Sequence, residues 1–345
     1  MSPSSGPAPA LVVVGASAGG VEALQALVAG LPADFAGCVL VVLHVPATSS
    51  SALPQILDRA GPLPARHARE GDLLAGGQIL VAPPGRHLVV LGDSVALTRG
   101  PQENGHRPAV DVLFRSAARA WGARVVSVVL SGSLDDGAAG TVAVRSRGGL
   151  CLVQDFDEAL YDGMPRSAAA AGAVEDTVPV TKMGAVLTEF VASPVLAEAQ
   201  AVTPLMDMET QMADLDPEAM HGTERPGSPA GFGCPDCAGA LYQIDEGDLR
   251  RYRCRVGHAW SPESLLDRQA LGLESALWMA LRSLEEKAAL NADLGQRASM
   301  RGAERTATRF EENAQEAWRA AELVRRLVVE LGGGASDPDE ARTAL

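Results

Sequence analysis

Between Leu11 and about Val191 the chain alternates short, continuous aliphatic runs with longer stretches of helical spacing. Leu11–Val14, Cys38–Leu43, Gln78–Ala82, His87–Leu91, Val125–Leu130 and Leu150–Gln154 read as strands; Gly20–Ala29, Ser51–Arg59, Ala109–Ala120 and Ala138–Arg147 read as helices. A strand that is apolar at every residue is covered on both faces, and helices between such strands make parallel crossovers. The pattern predicts an α/β domain, a doubly wound, mainly parallel sheet with helices on both faces. Sheets of this kind hold their sites at the carboxyl ends of the strands.

Past residue 195 the alternation stops. Residues 196–233 place Pro204, Pro217, Pro226 and Pro229 among acidic and small residues, and read as an acidic linker, disordered in part. A compact Cys/His segment follows at 234–260. Two helices are predicted next, from about Ser261 to Met300 and from about Gly302 to Leu331. Each carries one apolar stripe, so they should pair with each other or with a partner helix. The expected organisation is a flexible leader (1–10), an α/β domain (11–195), the linker, the Cys/His segment, a helical hairpin (261–331) and a flexible tail (332–345).

Apolar residues make up 47% of the chain and charged residues 21%, enough for a proper core, but aromatics are only 4%, so aliphatic side chains and alanine must fill it. The net charge is −14, and Lys182 and Lys287 are the only lysines. No basic stripe is present, which argues against nucleic acid and anionic membrane as partners. The longest apolar runs are far too short to cross a bilayer, and the leader lacks the basic residue of a signal peptide. Five cysteines, three of them in metal-like spacing, fit a reducing cytoplasm better than a disulfide framework.

Gly15-Ala16-Ser17-Ala18-Gly19 matches the G-x-S-x-G nucleophile elbow between a strand and a helix, where small neighbours allow a tight turn and the helix N-terminus favours a developing oxyanion. The same residues also read as a glycine-rich turn with a capping serine, or as the dinucleotide turn of short-chain dehydrogenases. The dehydrogenase reading needs an acid at the end of the second strand, which ends instead at His44. It also needs Tyr-x-x-x-Lys, whereas Tyr161, Tyr242 and Tyr252 are followed four residues later by Pro165, Glu246 and Val256. No Gly-Lys-Ser/Thr follows the turn, so an NTP-binding loop is excluded.

A serine nucleophile needs an imidazole base and a carboxylate to orient it. His44, at the carboxyl end of the second strand, is the candidate base. Asp135 and Asp136, after the strand Val125–Leu130, are the candidate acids, and either could instead cap the helix that begins there. His67, His87, His106 and His221 have no evident partners and read as surface or structural residues. Cys38 and Cys151 lie in apolar strands and read as core. Cys234-Pro-Asp-Cys237 and Cys254-Arg-Val-Gly-His258, sixteen residues apart, suit a structural Zn²⁺ held by Cys234, Cys237, Cys254 and His258. A segment this small lacks a core of its own, and a metal would supply its stability.

With these segments assembled, residues from about Leu11 to Val191 resemble the catalytic domain of the CheB family of chemotaxis protein-glutamate methylesterases. The resemblance is carried by Val-Gly-Ala-Ser-Ala-Gly-Gly, by Leu-His-Val-Pro after the second strand, and by Ile-Leu-Val-Ala-Pro-Pro-Gly-Arg-His at 79–87. Arg-Pro-Ala-Val-Asp-Val-Leu-Phe at 107–114, Leu-Ser-Gly-Ser-Leu-Asp-Asp-Gly-Ala-Ala-Gly at 130–140 and Gly-Met-Pro-Arg-Ser-Ala at 163–168 complete it. It implies a triad of Ser17, His44 and Asp136, the family's aspartate being the one that directly precedes the glycine. It also implies hydrolysis of γ-glutamyl methyl esters on chemoreceptor helices, deamidation of receptor glutamines, and no cofactor for catalysis. Arg107, Ser133 and Met164 become candidate substrate contacts, with Arg107 and Met164 near the mouth of the site.

The chain departs from the family where Ser133-Leu134 replace Met-Gly, in a loop expected to offer oxyanion-hole N–H groups. It also starts its catalytic domain at Leu11, so no receiver domain is expected to control the site in cis. Two other readings stand beside the esterase. One is a catalytically weak regulatory scaffold that binds signalling proteins through its zinc-helix tail; the other is a serine esterase acting on a different ester.

Overall fold

A computed structural model describes residues 9–172, 174, 176–193, 200–217, 219 and 227–332. Most of the leader (1–8), part of the expected linker (196–199, 218, 220–226), His221 and the tail from 333 lie outside the described residues. The described chain forms two units, one up to Leu265 and one from Leu266 onward.

The continuous aliphatic runs become strands buried along their whole length: β1 (Leu11–Ala16), β2 (Cys38–Leu43) and β7 (Val125–Val129). With β3 (Ala65–His67), β4 (Gln78–Val81), β8 (Leu150–Gln154) and β9 (Asp176–Val178) they form a seven-stranded parallel sheet in the order β3-β4-β2-β1-β7-β8-β9. Alternate residues of one strand point to opposite faces, so Leu11 and Val13 join one apolar layer and Val12 and Val14 the other. The first layer is closed by α3 (Val110–Trp121), α4 (Ala138–Ser146) and α5 (Gly163–Ala170). The second is closed by α1 (Gly20–Ala29), α2 (Leu53–Ala60) and α6 (Val180–Ala192). Each buried leucine or valine in these layers contributes about 1.5–3 kcal/mol. The sheet is the predicted doubly wound one, and winding reverses beside β1, which leaves a crevice at the carboxyl ends of β1 and β7.

Two expectations differ from the structure. His87–Leu91 is not a sheet strand; it is β5, paired antiparallel with β6 (Ser94–Thr98) in a separate hairpin. A parallel partner would need a crossover of a dozen residues, and only Gly92-Asp93 separates these two strands. The stretch expected as a linker contains α7 (Pro204–Ala213), capped by the Thr203 hydroxyl on the Met206 N–H, with Met206, Glu209 and Met212 buried. The helix is short and buries a glutamate, so its periodicity was hidden by its acidic composition.

A four-stranded antiparallel sheet follows: β10 (Ser228–Gly233), β11 (Ala240–Glu246), β12 (Leu249–Cys254) and β13 (Ala259–Trp260). It begins inside the expected linker and has its own small core of Leu241, Tyr252 and Trp260. The last elements are α8 (Pro262–Met300) and α9 (Glu304–Gly332). They pair through small buried residues, among them Ala288, Ala307, Ala314 and Ala321, and through an Arg325–Glu285 ion pair. Among the described residues no helix is long and apolar enough to cross a membrane.

Candidate active site and Cys/His cluster

β1 ends at Ala16 and the chain turns at once into α1. Gly19 caps that helix at φ +69°, and a Cβ there would stand 2.7 Å from Ser131 Oγ, so the turn requires glycine. Ser17 sits in the turn, half-buried, its N–H donating to the Ser131 carbonyl (2.9 Å). Gly132, next in that loop, abuts the serine: a Cβ on Gly132 would fall 2.9 Å from Ser17 Cβ and 2.1 Å from Met164 Sδ.

His44 follows β2, and its N–H donates to the Ala16 carbonyl (3.1 Å), which fixes it beside the end of β1. Its Nε2 lies 2.7 Å from Asp136 Oδ2. A carboxylate only accepts, so Nε2 carries the proton and Nδ1 presents its lone pair. Among the described residues nothing hydrogen-bonds that Nδ1. Buried Asp136 also accepts the Val110 N–H (2.7 Å), the Asp111 N–H (3.0 Å) and the Asn104 side-chain amide (3.4 Å). Burial opposes its ionisation, but the hydrogen bond and charge of His44, with His106 and the Val110 N–H, hold the carboxyl well below the usual range. Asp135 turns the other way and accepts the Ser264 hydroxyl (2.7 Å). Burial, opposed by hydrogen bonds from Ser261 and Ser264, pushes its carboxyl up to about 6.

The structure gives partners to histidines that looked isolated in the sequence. His106 stacks on His44, ring centroids 3.6 Å apart and planes 8° apart. Burial and the charge of His44 lower it to about 4. His87 is buried, accepting the Ala109 N–H at Nδ1 (3.2 Å) and donating from Nε2 to the Pro101 carbonyl (2.9 Å); burial lowers it to about 4. His67 reaches the Val81 and Ser51 carbonyls. Asp111, also unforeseen, accepts the Gly137 and Gly140 N–H groups at the start of α4 (3.0 and 2.6 Å). Burial, Asp136 and Glu103 push its carboxyl well above the usual range. The available signal was its place in Arg-Pro-Ala-Val-Asp, one residue into α3.

An open cleft of about 360 Å³ is lined by His44, Pro46, Gln102, Gly105, His106 and Arg107. Arg107 is among these lining residues, with Nη1 donating to the Gly100 carbonyl (2.7 Å). Ser133 is exposed at its loop tip. Met164 is fully buried beneath Gly132 rather than at the mouth, because its N–H donates to the Gly132 carbonyl (2.8 Å) and its side chain joins the core. The expected oxyanion role of this loop is also narrowed. The Ser131 N–H donates to Gln154 Oε1 and the Gly132 N–H to the Tyr161 carbonyl, both at 2.9 Å.

Cys234, Cys237, Cys254 and His258 come together with all four ligand atoms within 4.8 Å of one another. Two tight turns shape the cluster: the Ala238 N–H donates to the Cys234 carbonyl (2.8 Å) and the Gly257 N–H to the Cys254 carbonyl (3.0 Å). His258 directs Nδ1 to the cluster, 3.5 Å from Cys254 Sγ, while Nε2 faces Asp236 Oδ2 at 4.0 Å. An imidazole backed by an outer carboxylate is a usual metal-ligand arrangement, and the donor set fits a metal ion.

Comparisons with known proteins agree with this geometry. The family model described as CheB methylesterase matches residues 12–187. The protein-glutamate methylesterase/protein-glutamine glutaminase of Symbiobacterium thermophilum is 40% identical over 182 residues, which cover 52% of this chain and 50% of that protein. The protein-glutamate methylesterase/protein-glutamine glutaminase 2 of Pseudomonas aeruginosa is 40% identical over 186 residues, covering 53% of each. The chain thus spans about half the length of the curated relatives it matches. The crystal structure of the Thermotoga maritima CheB methylesterase catalytic domain superimposes with a TM-score of 0.50 at 29% identity, over 52% of this chain and 97% of that one. The sheet, the Ser17 turn and the 12–187 match agree: this chain belongs to the CheB methylesterase family.

Proposed function

We propose that this chain is a protein-glutamate methylesterase with Ser17 as nucleophile, His44 as base and Asp136 as the group that orients and charges the base. The observation that carries the reading is the 2.7 Å bond between His44 Nε2 and Asp136, at the strand end beside Ser17. It leaves Nδ1 to take the Ser17 proton as Oγ attacks the γ-glutamyl ester carbonyl. The imidazolium then gives that proton to the departing methoxide, which leaves as methanol. Water, deprotonated by the same imidazole, hydrolyses the acyl-serine to free glutamate and restores Ser17. With a glutamine side chain the leaving group is ammonia, and the same steps deamidate it.

The substrates in this reading are methylated chemoreceptor helices. An extended helical surface suits the open cleft, with Arg107 at its rim and Ser133 on the neighbouring loop as contacts. Met164 supports Gly132 from below. The Cys/His cluster would hold Zn²⁺ through Cys234, Cys237, Cys254 and His258, a structural set with no open position, so the ion would stabilise the fold and take no part in ester hydrolysis. Two cysteines packed in the core, Cys38 and Cys151, and three gathered with His258 suit a reducing compartment, which supports the cytoplasm. The helical pair α8–α9 is assigned to contacts with other chemosensory proteins.

Methanol release from methylated receptor fragments tests the proposal. Wild type should release it and Ser17→Ala should not; equal release from both would end the catalytic claim.

A further inference from the structure

The loop between β6 and α3 carries Gln102, Gly105, His106 and Arg107 into the cleft, and the Cys/His module holds that loop. The Asn104 N–H donates to the Ala259 carbonyl (2.8 Å) and the Ala259 N–H to the Gln102 carbonyl (3.3 Å), so β13 pairs with the loop. The Ser261 N–H donates to Asn104 Oδ1 (3.0 Å). The other end of the same amide donates to Asp136 Oδ1 (3.4 Å) and Asp111 Oδ2 (3.2 Å). One buried side chain therefore joins the module to the carboxylate that holds His44.

A second tie lies alongside. In β12 two alternate residues, Arg251 and Arg253, face the acidic groups of the α/β domain and of α7. Arg253 donates to Glu103 (2.9 Å) and Glu209 (2.8 Å), Arg251 also pairs with Glu209, and Arg115 of α3 pairs with Glu103 (2.5 Å). All five charges are buried. An arrangement of this kind is costly to form and rigid once complete, because removing one member strands its partners. None of the residues lining the cleft comes from the module, so the module braces the loop without covering the site.

We propose that Asn104 is a positioning residue for the His44–Asp136 pair, and that the folded Cys/His module sets the reactivity of Ser17 by holding Asn104 in place. This rests on the reading of Ser17, His44 and Asp136 as a triad. Asn104 suits the task in its backbone too: its φ of +51° lies in the left-handed region, which asparagine tolerates. Asn104→Gly therefore keeps the backbone and its bond to Ala259 while removing only the amide. Without that donor the Asp136 carboxylate holds the His44 proton more tightly, so the acid limb of reactivity moves to higher pH.

The test is the rate at which a fluorophosphonate labels Ser17 in the full chain, followed against pH with the labelled peptide identified by mass spectrometry. Asn104→Gly should label about tenfold more slowly, with its acid midpoint raised. Stripping the metal from wild type with a chelator should speed hydrogen exchange in 102–107 and move rate and midpoint the same way. Stripping it from Asn104→Gly should add little. An unchanged midpoint in Asn104→Gly overturns the inference, including the case where only the labelled amplitude falls, which reports lost protein and not altered reactivity. So does chelation that speeds exchange through 234–258 yet leaves the labelling of wild type as it was. A wild type that does not label at Ser17 overturns the triad reading itself, and is told apart from the other failures by that result.

Discussion

The imidazole of His106 lies flat on that of His44, 3.6 Å between centroids and 8° from parallel. His44 is thereby held between a stacked ring on its face and the Asp136 carboxylate at its edge. A second positive charge is disfavoured on rings this close, and burial together with the charge of His44 lowers His106 to about 4. His106 therefore restrains the base without competing for its charge.

This arrangement predicts a graded effect of substitution. His106→Phe keeps a flat ring and should hold turnover within about threefold of wild type, whereas His106→Ala frees the His44 ring and should cost about tenfold. Initial rates of ester hydrolysis decide it, and an alanine variant as fast as wild type would make the stack incidental.

Gly132 separates a stability effect from a catalytic one. Gly132→Ala drives a methyl group into Met164 Sδ and against Ser17 Cβ. Overpacking of this kind costs about 1–3 kcal/mol, and the nucleophile should be displaced with it. Adding Met164→Ala should restore most of the melting temperature but not the rate, because the 2.9 Å approach to Ser17 remains. Full recovery of rate in the double variant would contradict this account.

Glu209 should be the most sensitive position of α7. Burial opposes its charge, but Arg251, Arg253 and Arg115 hold its carboxyl below the usual range. Glu209→Gln removes the carboxylate these guanidinium groups share, leaving Arg115 and Arg253 to Glu103 and Arg251 to Glu246, and should cost about 3–5 kcal/mol in denaturant unfolding. A loss under 1 kcal/mol would mean that the network contributes little.

His87 predicts acid sensitivity. Its folded value of about 4 lies below the ordinary 6.5, so between those values the unfolded chain binds a proton that the folded chain refuses. Stability from this group is complete above about pH 6.5 and falls as pH drops toward 4, by about 1.4 kcal/mol per unit across the window. His106 acts in the same direction, while Asp135, raised to about 6, opposes both, since it favours the folded state at low pH. Melting temperatures at pH 7 and pH 5 for wild type and His87→Gln isolate the share of His87, and the variant should lose less on acidification.

Metal removal should act locally first. Chelation, or Cys234→Ser, should unfold the sheet of residues 228–260 and lower the overall melting temperature, with the parallel sheet lost at higher temperature. Metal analysis should return one equivalent of zinc in wild type and none in the variant; a melting curve indifferent to chelator would remove the metal from the fold.

The sequence by itself determined the parallel sheet and which turns stand at its carboxyl edge. Strands such as Leu11–Val14 and Cys38–Leu43 are apolar at every position, and only a sheet covered on both faces accommodates that. The Cys/His spacing was likewise legible, because the cysteines and the histidine fall in two short local turns. Asp135 and Asp136 could not be separated by composition or spacing; the fold separates them by sending one to His44 and the other to Ser264. The stack of His106 on His44, the Asp111 cap and the Asn104 bridge to Ser261 join residues from different elements, and no local pattern encodes such pairings. Helix α7 was hidden for the same reason: Glu209 looks like a solvated linker acid until arginines 42 and 44 residues later close around it.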